Sequence, residues 1–118
     1  MDERLEKALE FSNFVETQNN QKRIFLKQYK ENLIHYARGH KITVNPQLIS
    51  FCQSLIALDQ TEIVILDDNN TPMQINDISE FTKELLGVYI FASRKYAIDY
   101  KNIENNRSVE GLTNLWKG

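Results

Sequence analysis

Residues 61–77 read Thr-Glu-Ile-Val-Ile-Leu-Asp-Asp-Asn-Asn-Thr-Pro-Met-Gln-Ile-Asn-Asp. Ile63, Val64, Ile65 and Leu66 form a β-branched, apolar run. Residues 67–72 are dense in turn formers, and Met73 to Ile75 resumes the apolar signal. This combination predicts a β-hairpin over about residues 62–75. The segments on either side carry helical periodicity, so the fold class is α+β, helix-dominated, with a small antiparallel sheet.

On the C-terminal side, Asp77 with Glu80 three places on reads as an Asp variant of the capping box. It opens a helix expected over residues 78–103. Phe81, Leu85, Val88, Ala92, Tyr96 and Ile103 make one stripe of that helix, and the segment is rich in aromatic residues. Gly87 lies inside it, either as a point of close backbone approach or as a tolerated glycine. Glu104-Asn105-Asn106-Arg107 breaks the pattern, and Ser108 is expected to cap a short C-terminal helix.

On the N-terminal side, Asn45-Pro46 supplies an N-cap and a first helical residue. The helix that follows is apolar on most sides. Lys41-Ile42-Thr43-Val44 is a strand candidate, expected to pair with one arm of the hairpin in a three-stranded sheet. Residues 3–38 follow steps of three and four and predict one long, nearly continuous N-terminal helix, with Gly39 as its left-handed stop. The expected core comprises Phe25, Tyr29, Leu33, Ile49, Phe51, Leu55, Ile63, Ile65, Phe81, Leu85, Val88, Ala92 and Tyr96.

The chain has 118 residues, 42% of them hydrophobic and 25% charged, which fits one globular domain spanning 1–118. The first turns and residues 108–118 are the parts expected to project. Glycine and proline number 4 and 2, too few for a loop-rich β fold. Cys52 is the only cysteine, so no intrachain disulfide can form and a reducing cytoplasm is the expected location. The N-terminus shows no charged-then-apolar leader, and the longest apolar run, residues 85–92, is too short to span a bilayer.

Charge alternates along the chain: −3 over residues 1–16, +5 over 17–46, −6 over 47–84 and +2 over 85–118. Lys22, Arg23, Lys27, Lys30, Arg38 and Lys41 form a candidate basic face that could neutralise phosphates. The chain is acidic overall and carries no base-reading motif, so nucleic acid is possible as a partner but not favoured.

The remaining motifs hold little chemistry. Asp67-Asp68-Asn69-Asn70 resembles a hard-cation loop, but Pro72 and Ile78 stand where a calcium-binding helix-loop-helix loop needs Gly and Glu. Its residues are those that bond to nearby backbone in turns. His35 and His40 fall around the end of the expected first helix. With Cys52 they do not supply a four-ligand zinc set. Cys52 sits in an apolar helical run, where burial silences a thiol. The glycines cannot assemble a phosphate-cradling loop. No catalytic residue, metal or cofactor is assigned.

Gly111-Leu112-Thr113-Asn114-Leu115-Trp116 is similar to the short peptide by which many proteins dock on the bacterial sliding clamp. Leu112, Leu115 and Trp116 fit that pattern, while Gly111 replaces its first Gln. The alternative is an amphipathic turn docked on the protein's own core.

Residues 39–110 resemble a group of small uncharacterised proteins of myovirus-type tailed bacteriophages. The resemblance rests on Gly39 through Val44, on Glu62-Ile63-Val64-Ile65-Leu66-Asp67-Asp68 with Pro72 following, and on the tyrosine-rich helix ending in Arg107-Ser108-Val109. It implies a role in the host bacterial cytoplasm and carries over no enzymatic residue.

The expected function is therefore that of a small non-enzymatic protein-binding adaptor or regulator. The alternatives are a virion or assembly component, and a nucleic-acid-associated regulator with a clamp-docking tail. The candidate protein interface is Phe11, Phe14, Val15, Tyr89, Tyr100, Leu112, Leu115 and Trp116. Phe11, Phe14 and Val15 would form the seam of a homodimer.

Overall fold

A computed structural model describes residues 2–105. The order of elements is α1 (Glu3–Asn32), β1 (Ile34–Ala37), β2 (His40–Thr43), α2 (Pro46–Ala57), β3 (Ile63–Leu66), β4 (Pro72–Ile75) and α3 (Ile78–Asn105). The helix-dominated α+β class holds, with a long N-terminal helix and a hairpin at residues 63–75. The short helix expected after Ser108 lies outside the described residues.

The described residues divide into two compact units, one made of the stretches before residue 29 and after residue 94, the other of residues 29–94. In the first unit Ile103 and Gln18 are buried. Lys22 places its ammonium 5.0 Å from the Tyr100 ring centre, a cation–π arrangement. Tyr96 meets Tyr100 edge to face at 6.0 Å. Lys95 pairs with Asp99 at 2.8 Å one helical turn on, and its ammonium lies 6.0 Å from the Phe25 ring centre.

The second unit holds the main core: Ile42, Val44, Ile49, Cys52, Met73, Ile75, Ile78, Phe81 and Leu85. Leu55, Ile63, Ile65 and Val88 pack against it, half-buried. Phe51, expected inside, is 46% exposed; α2 buries Ile49 and Cys52 instead. A run apolar on most sides does not say which side faces in, and only packing selects it.

Local rules explain the boundaries of α2 and α3. Asn45 is extended at φ −147°, ψ 163°, and its side chain accepts the Leu48 N–H at 2.8 Å, so Asn45 caps α2 with Pro46 as the first helical residue. α2 ends with Gln60 N–H bonded to Leu55 C=O and Asp59 N–H to Ile56 C=O. This is the paired bonding of a Schellman close, with Asp59 at φ 59° in the place glycine usually fills. Asp77 Oδ1 accepts the Glu80 N–H at 3.1 Å and opens α3 as its sequence predicts. A Cβ on Gly87 would meet nothing within 4 Å, so this glycine is tolerated and does not admit a neighbouring backbone.

The first helix differs from expectation. It ends at Asn32, and residues 34–37 form β1, antiparallel to β2. Arg38 and Gly39 make the turn between them, at φ 52° and 80°. Two positive φ values in a two-residue connection match the twist of the flanking strands. Gly39 is thus a hairpin residue, not a helix stop. Tyr36 and Ala37 happen to continue the three-and-four spacing of α1, but pairing with β2 overrides it.

The single three-stranded sheet is also corrected. Among the described residues there are two separate two-stranded sheets, β1–β2 and β3–β4. One backbone bond links them, the Asp68 N–H donated to Lys41 C=O at 2.9 Å. The chain turns at Asp67 before β3 can continue alongside β2.

Candidate functional site

A group of polar side chains converges in the second unit, at the joint between its two hairpins. Register pairs His35 with Ile42 and Ala37 with His40. Alternation therefore puts His35, Ala37, His40 and Ile42 on one face of β1–β2 and Tyr36 on the other. Ile42 is buried and Ala37 packs on the core, whereas Tyr36 is 73% exposed. Both histidines thus flank the apolar contact through which this hairpin meets the core. They do not sit at the end of a helix, as their position in the sequence suggested.

Each histidine faces a carboxylate from another element. His40 Nδ1 lies 2.7 Å from Asp67 Oδ2, and His35 Nε2 lies 3.4 Å from Glu84 Oε2 on α3. An ionised carboxylate can only accept, so Nδ1 of His40 carries the proton and Nε2 is its other ring nitrogen. Asp67 is only 7% exposed. Its Oδ1 accepts the N–H groups of Asn69 and Thr71, each at 2.9 Å. The His40 hydrogen bond first, and then these backbone donors, hold the Asp67 carboxyl below the usual carboxylate range, against the opposing effect of burial.

Asp68 completes the joint. Val44 N–H bonds to Leu33 C=O and extends the β1–β2 ladder, so alternation turns the Lys41 and Thr43 backbone toward the open edge of β2. Asp68 meets that edge with its N–H on Lys41 C=O, its Oδ1 accepting from Thr43 N–H at 3.0 Å and its Oδ2 from the Thr43 hydroxyl at 2.6 Å. One residue covers the edge as a third strand would begin to. The Asp67 and Asp68 carboxylates of this turn therefore accept from donors of the protein itself. Among the described residues, no group of three or more His, Cys, Asp or Glu gathers in a geometry for a metal ion.

Cys52 is fully buried. Burial pushes its thiol upward, partly offset by a hydrogen bond with Thr82. The Thr82 hydroxyl donates its hydrogen to Ile78 C=O at 2.7 Å.

Exposed apolar residues of this unit include Tyr36, Phe51, Leu58, Ile90 and Phe91, and on the outer side of β3–β4 a further pair stands together. Ile63, Ile65, Met73 and Ile75 face inward, while Val64 and Leu66 are 56% and 60% exposed. Register sets Val64 opposite Gln74 and Leu66 opposite Pro72, so the outer face carries Val64, Leu66 and Pro72 together. Nothing in the apolar run distinguished Val64 and Leu66 from Ile63 and Ile65; the period-2 alternation was the available signal.

The expected interface residues fare differently. Phe11, Phe14 and Val15 are half-buried in the first unit, and Leu5, Leu9 and Ile24 are the more exposed apolar residues of α1. Tyr89 packs against the core of the second unit, and Tyr100 is engaged by Lys22 and Tyr96. Phe91 on α3 is more exposed than either. Leu112, Leu115 and Trp116, with the clamp-docking pattern, lie outside the described residues. The expected basic face divides between the units: Lys22, Arg23 and Lys27 fall in one, Lys30, Arg38 and Lys41 in the other. Arg23 bonds to Asn20 at 3.1 Å. Among the described residues no helix is long and apolar enough to cross a membrane.

Comparison of the chain with family models, with curated proteins and with solved structures gives no match.

Proposed function

We propose that this chain is a non-enzymatic protein-binding adaptor or regulator, and that the outer face of β3–β4 is its docking surface. The observation that carries this reading is the exposure of Val64 and Leu66 side by side with Pro72, on a hairpin whose other face is packed. Scattered apolar residues on a surface are ordinary, whereas neighbouring ones on a rigid strand favour a partner. The joint made by His40, Asp67, Asp68 and Thr43 fixes the turn at one end of this hairpin, which presents the face without an ordering cost on binding. The resemblance to small bacteriophage proteins supports a host or phage protein as the partner.

The test is retention of proteins from bacterial lysate by the wild type and by a Val64→Thr/Leu66→Thr variant, with circular dichroism as the check on folding. Threonine keeps the β preference and removes the apolar surface. Proteins retained by the wild type and lost by the variant support the reading. An identical retained set for both overturns it. Repeating the comparison without residues 108–118 separates this face from the Trp116 tail.

A further inference from the structure

The hairpin face also carries information about what docks on it. Residues 42–82 contain no lysine or arginine and six carboxylates: Asp59, Glu62, Asp67, Asp68, Asp77 and Glu80. Asp67 and Asp68 are engaged by His40, Thr43 and turn N–H groups. The other four are exposed, and none has an ion-pair partner among the described residues. Glu62 is exposed and immediately precedes β3, next to the strand that carries Val64 and Leu66. Ile78 N–H bonds to Thr61 C=O at 3.0 Å, which sets Asp77 beside that end of the ladder. Lys41 meets the other end through its backbone C=O, which accepts from Asp68 N–H.

From this, resting on the docking reading above, we propose that the partner presents a basic polypeptide segment in which lysine or arginine alternates with apolar side chains. Its apolar residues cover Val64, Leu66 and Pro72, and its cations meet Glu62, Asp77 and Asp59. Charge complementarity selects against the other occupants. A second copy laid antiparallel along the same strand would set Glu62 near Asp68 of its twin, and like charges across an interface disfavour that pairing. Phosphate-bearing surfaces, whether nucleic acid or anionic lipid, are repelled by the same carboxylates.

The experiment uses the full chain, isotope-labelled, titrated with short peptides that alternate leucine with lysine, with serine or with glutamate. Expected is a shift of the amides of residues 62–76 by the lysine peptide, with about tenfold tighter binding than for the glutamate peptide. That preference weakens as salt is raised and falls in a Glu62→Lys variant, whose change is on an exposed side chain. Equal shifts from all three peptides leave the docking face standing and overturn the basic partner. No shift at residues 62–76 from any peptide overturns both. Sedimentation that finds a dimer of the wild type and a monomer of Val64→Thr/Leu66→Thr assigns the face to a second copy and overturns the proposal.

Discussion

His40 Nδ1 and Asp67 Oδ2 stand 2.7 Å apart and join two hairpins that share no strand ladder. The Asp67 carboxyl is held below its ordinary range by His40 and by the Thr71 and Asn69 amides. A carboxyl with a depressed folded value stabilises the fold above the unfolded value, about pH 4, and that contribution is lost as pH falls through the folded value. Expected is that Asp67→Asn is less stable than the wild type at neutral pH in urea unfolding. The gap should close as the solution is acidified below about pH 4. A gap that stays constant to the lowest pH would mean that the carboxylate charge plays no part.

Asn45 and Leu48 define the start of α2 through one side-chain bond of 2.8 Å. Replacing Asn45 by Ala removes that acceptor and leaves the Leu48 N–H without its cap. The expected cost is about 1 kcal/mol in denaturant unfolding with an unchanged m-value. Asn45→Ser, which retains an acceptor, should recover most of it.

Gly87 has open space where a side chain would grow and a helical setting with no positive φ. Gly87→Ala should therefore stabilise the protein, by up to about 1 kcal/mol, through lost freedom of the unfolded chain. A destabilised alanine variant would show that another group occupies this face in solution.

Cys52 combines full burial with a thiol pushed above its usual range. Reaction with a thiol reagent at neutral pH should be slow in the native protein and reach the rate of a free thiol in denaturant. Fast labelling of the native state would require α2 to open locally.

Much of this architecture is written in local chemistry. The hairpin at residues 63–75, the cap at Asn45 with Pro46, the cap at Asp77 and the burial of Cys52 each follow from neighbours in sequence. Such signals act over a few residues and need no partner elsewhere. The expectations that failed are those in which a distant segment decides. Residues 34–37 continue the spacing of a helix, yet they become a strand because residues 40–43 offer a ladder across the Arg38-Gly39 turn. Phe51 reads as core, yet it faces out because Ile49 and Cys52 are the residues that meet the other elements.

The same division holds for the site. The amino-acid order by itself determined an α+β chain with an acidic, lysine-free middle, because composition and period-2 alternation need no tertiary contact. Only the tertiary structure decided that His40 meets Asp67, that Asp68 covers the edge of β2, and that Val64 and Leu66 are left outside. Those outcomes depend on groups far apart along the chain. Their energies come from burial and pairing after the chain has folded, and no local preference encodes them.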